Sequence, residues 1–132
     1  MTTRNNLTAL ESVALSEGAI TTWVGAYVTA WKTNSRDDIA ALFTEDAEYH
    51  ESPYTTEWLG REAIIAGWQG RWEWQAGGWE FEWTIESVDG VTVVIVGVGH
   101  YARLGNFENR WTVTFDESGR CVRFEMINNE IS

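Results

Sequence analysis

The chain has little of what staples, ligates or anchors a protein. Cys121 is the only cysteine, which excludes an intrachain disulfide, and with two histidines it offers no recognisable zinc spacing. Neither a structural metal nor a cofactor is expected. Pro53 is the only proline, no low-complexity or repeated stretch appears, and residues 1–132 read as one domain without a linker. Lys and Arg number only nine against twenty Asp and Glu, a net charge of −11, and the cations are scattered. Such a field repels phosphate backbones and anionic lipid, which argues against nucleic-acid and membrane partners. No run approaches the ~18 apolar residues of a membrane span, and the opening residues lack the apolar stretch of a signal peptide, so the expected compartment is cytoplasmic.

What the chain has in excess is tryptophan, nine in 132 residues. Each indole can bury about 150–250 Å² while its N–H still asks for an acceptor. That much aromatic surface either fills a core or lines a cavity. A chain of this length folds around one core and buries roughly two-thirds of the surface its unfolded form exposes.

Helical spacing dominates the first half. Thr8 to Glu11 reads as a capping box opening a short helix that Ser16-Glu17-Gly18 interrupts. Ile20, Trp23, Val24, Tyr27, Val28 and Trp31 then form one apolar stripe, which turns the Tyr27 phenol inward. Ser35 before Arg36-Asp37-Asp38 is a second N-terminal cap, for a helix ending near Phe43. Ala47 to Ser52 alternates up to Pro53 and reads as a short edge strand with Ala47, Tyr49 and Glu51 on one face and His50 on the other. From Gly60 to about Gln75 the pattern is helical again, with Ile64, Ile65, Trp68 and Trp72 on its apolar side and Gly77-Gly78 as its stop.

The last third alternates in four runs separated by turn signals at Asp89-Gly90, Leu104-Gly105 and Ser118-Gly119, a four-stranded meander. Turns centred on those pairs put Trp79, Phe81, Trp83 and Ile85 on one face with Val94, Val96, Val98 and His100. The same face takes Asn109, Trp111, Val113 and Phe115, then Val122, Phe124, Met126 and Asn128. His100, Asn109 and Asn128 would then cross three strands in a row beside Trp79, as expected where a pocket floor meets ligand. Gly97 and Gly99 are read as permitting curvature. The opposite face mixes charge with Val93, Ile95, Tyr101 and Ile127, an apolar patch suited to a homodimer contact.

Glu51 is the sharpest chemical candidate. An inward carboxylate without a partner is costly, burial raises its pKa, and such a group can take a proton and hand it on. If the strand face were reversed, His50 would look inward in its place. Tyr27 is a candidate donor to a developing oxyanion, and His100 a candidate acid, base or donor. Trp111, Asn109, Asn128, Tyr49, Trp79, Trp83 and Trp68 complete the expected substrate wall.

The order of helices, short strand, helix and meander resembles the nuclear-transport-factor-2-like superfamily, in particular its SnoaL-like and ketosteroid-isomerase-like domains. The likeness lies in Tyr27 to Phe43, in Thr44-Glu-Asp-Ala-Glu-Tyr-His-Glu-Ser-Pro53, in Gly60-Arg-Glu-Ala-Ile64 and in Asn109 to Arg120. It implies an α+β, cone-shaped roll of three or four helices on a curved antiparallel sheet. It also implies an oxyanion-stabilising tyrosine at Tyr27 and a proton-shuttling carboxylate at Glu51. Where the isomerases add a second, protonated acid, this chain has Trp111, whose indole N–H donates one hydrogen bond. The expected function is cofactor-free proton transfer on an apolar carbonyl or polyketide-like compound. A small-ligand-binding or assembly module of the same fold is the alternative.

Overall fold

A computed structural model describes residues 15–131. The capping box at Thr8 lies outside the described residues. Helix α1 spans Glu17–Thr33 and begins where Ser16 Oγ accepts from the Ala19 amide at 3.0 Å. It ends where Asn34 turns left-handed (φ 57°) and its amide donates to the Ala30 carbonyl. Ile20, Trp23, Val24, Tyr27, Ala30 and Trp31 are its buried side, as the spacing predicts. Ser35 caps helix α2, Arg36–Ala40. This helix stops short of Phe43, which instead opens strand β1 because its backbone pairs with Cys121 far along the chain.

Strand β1 (Phe43–Ser52) is not an edge. Thr56–Leu59 forms an unanticipated strand β2 that folds back on it, and β1 lies between β2 and the last strand, β6 (Cys121–Ile131). The sheet runs β2-β1-β6-β5-β4-β3, with β3 at Trp79–Asp89, β4 at Thr92–Tyr101 and β5 at Gly105–Phe115. Because β1 runs parallel to β6, the six-stranded sheet is mixed, not wholly antiparallel. Helix α3 covers Arg61–Gly70 and then tightens into a 3₁₀ turn, Trp72–Gln75. That change of pitch leaves Trp72 49% exposed, against the expectation that it continues the apolar side.

The meander forms, but β4 shows its other face. Trp79 lies opposite Tyr101, not His100, and Asn109 lies opposite Gly97. Two local features cause this. A bulge between Ile85 and Ser87 adds one residue to β3, and the β4–β5 connection is a three-residue loop, Ala102 to Leu104, closed by Tyr101 and Gly105. Each reverses the alternation once, so β3 and β5 keep their expected faces and β4 alone is turned over. Val93 and Ile95 are therefore fully buried, Tyr101 points inward with them, and Val94, Val96, Val98 and His100 face out. The β5–β6 register, with Asn109 opposite Asn128, is the one expected.

Candidate functional site

Between α1, β1 and the meander lies a cavity of about 480 Å³, in the range of small-molecule sites. All four tyrosines of the chain line it. Tyr27 comes from the third turn of α1 and its ring is held by other rings: it stacks on Phe124 (5.6 Å, 17°), tilts against Trp111 (4.4 Å) and meets the edge of Trp68 (4.8 Å). Burial, and next the neighbouring Tyr49 phenol, push its pKa well above the usual 10. Burial raises the Tyr49 and Tyr101 phenols as well, with the Glu51 charge as the second cause. All three therefore stay protonated at ordinary pH and offer O–H donors.

Glu51 faces this cavity, 6% exposed, and His50 lies on the other face of β1, where Glu48 (2.9 Å) and Glu57 (3.5 Å) hold its ring. The carboxylate is not alone, however. Arg71, at the end of α3, places Nη1 2.7 Å from Glu51 Oε1, and both side chains are almost withdrawn from water. The approach is off the line of a hydrogen bond, so the buried Oε1 remains open to a better-aimed donor. The guanidinium itself is held firmly. It lies over two indoles, 4.6 Å from the Trp58 centroid and 4.3 Å from that of Trp74, and Nη2 donates to Thr56 Oγ1 at 3.0 Å.

A second polar row runs along the sheet. Trp111 Nε1 donates to Asn109 Oδ1 at 3.4 Å, Asn109 Nδ2 donates to Asn128 Oδ1, and Asn128 Nδ2 donates to the Tyr54 hydroxyl at 3.4 Å. The indole at Trp111 thus spends its one proton on an asparagine and has none left for a ligand. Every donor in this row points the same way, which leaves the Tyr54 proton at the rim as the free one.

Of the anticipated residues, Tyr27, Glu51, Tyr49, Trp79, Trp111, Asn109 and Asn128 meet around one cavity. His100 does not. On the outer face, its Nδ1 stands 2.8 Å from Asn106 and its Nε2 3.1 Å from Glu82. Trp68 is wholly buried behind the wall, against Tyr27, Trp31 and Phe43, and Trp83 packs further along β3 outside the lining. Tyr54, Thr56 and Tyr101 were missed, and above all Arg71. Its signal was present: a buried acid needs a counter-charge, and an arginine in Trp68-Gln-Gly-Arg-Trp-Glu-Trp74 is a cation with aromatic cover.

Cys121 is buried, which pushes its thiol pKa up and removes it as a nucleophile. Among the described residues no three His, Cys, Asp or Glu side chains are placed to hold a metal, and no helix is long and apolar enough to cross a membrane.

Helices laid on a curved sheet that encloses one aromatic cavity define the nuclear-transport-factor-2-like class of α+β domains. Within it the chain belongs to the SnoaL-like domain family, whose model matches residues 24–128. Solved structures share the fold at low identity. An NTF-2 like protein of unknown function from Burkholderia xenovorans LB400 is 17% identical, covering 88% of this chain and 87% of its own, with a TM-score of 0.70. A protein classed as a SnoaL-like polyketide cyclase from Shewanella denitrificans OS-217 is 18% identical (83% and 89% covered, TM-score 0.63). An LEH-like epoxide hydrolase from M. tuberculosis is 18% identical (82% and 80% covered, TM-score 0.61). No curated protein matches the chain.

Proposed function

We propose that the protein is a cofactor-independent enzyme in which Glu51 moves a proton on a small, largely apolar carbonyl or polyketide-like substrate. The observation that carries this reading is that Glu51 and Tyr27, on different elements, line the same largely apolar chamber. As half of an ion pair, Glu51 meets substrate as a carboxylate, the form that accepts a proton from carbon or oxygen. Tyr27, kept protonated by burial, is a donor for the oxygen on which charge then develops, and Tyr49 is a second. Arg71 holds the acid's position. Isomerisation, aldol-type cyclisation, dehydration and hydrolysis all use such a transfer, and two fold neighbours bear the names of a cyclase and an epoxide hydrolase. A cytoplasmic site of action belongs to the same proposal, as does a homodimer through the outer sheet face, where Val94, Val96 and Val98 stand beside Ile127 in place of the expected Val93, Ile95 and Tyr101.

One observation favours a second reading, a non-catalytic ligand-binding or assembly module: a carboxylate clamped by a guanidinium is also a structural device. Exchange of the protons beside the carbonyl of β-tetralone into deuterated water, followed by NMR, separates the two. The wild type should accelerate exchange, and Glu51→Gln should lose that acceleration by about 10²–10⁴-fold while binding the ketone as before. Equal exchange in both proteins would leave only the binding module.

A further inference from the structure

Among the residues lining the cavity, two are charged: Glu51 and Arg71. They neutralise each other at 2.7 Å, with side chains 4% and 13% exposed, so the chamber is lined by aromatic rings, amides and hydroxyls around a pair of zero net charge. We propose that this pair makes the cavity selective for uncharged ligands, and that removing Glu51 from it turns the preference toward anions. The inference deepens the proposed function by fixing the charge class of its substrate, and it rests on the cavity being the ligand site.

The reasoning is one of desolvation. A charged ligand entering a chamber with little water gives up its hydration and gains a full partner only if the site holds an unspent opposite charge. Here Arg71 has none to spend. Its positive charge is paired with Glu51, its guanidinium lies over the rings of Trp58 and Trp74, and Nη2 is used by Thr56. A carboxylate ligand must displace Glu51 from Arg71 and leave that acid stranded in the same chamber. A ligand cation faces the mirror problem. A phenol or ketone meets no such penalty, because Glu51 Oε1 still accepts and the tyrosines still donate.

Removing the acid reverses the rule. In Glu51→Gln the guanidinium stays over its indoles with its charge unspent, and the chamber becomes an anion site. The outer surface also repels anions, since the whole chain carries −11. That field is screened in concentrated salt, whereas a dry pair inside the fold is not.

The test is calorimetric titration with β-naphthol and β-naphthoate, one ring system with and without charge. The wild type is expected to bind the naphthol at least tenfold more tightly, in dilute and in molar salt alike. Glu51→Gln should prefer the naphthoate, and the double variant Glu51→Gln with Arg71→Gln, neutral again, should return to the naphthol. The proposal is overturned if the wild type takes the naphthoate as tightly as the naphthol, if its preference vanishes in molar salt, or if Glu51→Gln fails to invert it. A double variant that keeps the inverted preference also overturns it. Should neither compound bind the wild type, the cavity is no site for such rings and this inference falls, whereas the β-tetralone exchange judges Glu51 as a base independently.

Discussion

The cavity has two ends built on opposite rules. At the closed end, Trp23, Tyr27, Trp68, Phe43 and Phe124 pack ring against ring, and polar groups are few and sometimes unserved: the N–H groups of Trp31 and Trp68 are buried without an acceptor while the two rings meet edge to face at 5.2 Å. At the rim, Glu51, Arg71, Thr56, Tyr54, Asn109 and Asn128 are linked by directed contacts in two rows. The closed end can tolerate an orphan N–H because dispersion and apolar burial outweigh it. The rim cannot tolerate an orphan charge, so every charge there has a partner. Ring packing is thus concentrated at one end and charge at the other, with the Tyr27 phenol reaching from the first into the cavity, and the comparison can be broken at either.

The largest expected effect is at the closed end. Trp68→Ala removes a fully buried indole touched by four aromatic rings and should cost about 3–5 kcal/mol, read as a lower midpoint in urea denaturation. A loss below about 1 kcal/mol would mean that this end is not the stabilising one.

A smaller effect should cross between the ends. Gly67 on α3 packs so closely on Trp58 that a methyl there would overlap the indole, and Trp58 is one of the two rings covering Arg71. Gly67→Ala should cost about 1–3 kcal/mol by overpacking and also slow the Glu51-dependent exchange of β-tetralone by displacing Arg71. Destabilisation with unchanged exchange would show that α3 supports the fold without placing the site.

The smallest effect at neutral pH is zero, and it appears only in alkali. The Tyr27, Tyr49 and Tyr101 phenols have folded pKa values above the 10 that each returns to on unfolding. The unfolded chain therefore sheds protons first as pH rises, so the stability they contribute is full below pH 10 and is lost progressively above it, toward their folded values. Tyrosinate absorbance should report Tyr27, Tyr49 and Tyr101 ionising only as the fold opens. Ionisation of these three near 10 in the folded protein would contradict their burial.

Much of the architecture was legible because its causes are local. Ser35 caps its helix by reaching three residues along the chain, and the stripe on α1 follows from helical pitch, whereas Ser16, read as part of a helix interruption, is the cap of α1. The inward face of β1 follows from alternation, which is why Tyr49 and Glu51 were found together. What misled was cumulative parity. The bulge at Ile85–Ser87 and the three-residue loop after Tyr101 leave no clear residue signature, and each shifts the register by an odd number of positions, one and three, so His100 and Tyr101 exchanged faces. Gly97 was read as allowing curvature, but a Cβ there would collide with Phe81 and the Glu82 carbonyl, so its lack of a side chain gives the neighbouring strand room to pass.

By itself the chain's order of residues determined most of the helices and strands, the cap at Ser35, the aromatic interior and the inward carboxylate, because each of these depends on neighbours within a few positions. The three-dimensional packing alone decided that β1 is interior and parallel to β6, that β4 is turned over, and that Arg71 rather than His100 completes the rim. The first and last of those outcomes join residues twenty to almost eighty positions apart. No local pattern encodes which distant strand is adjacent or which cation comes to rest beside a buried acid; that is settled by which arrangement leaves the fewest charges and backbone groups without partners.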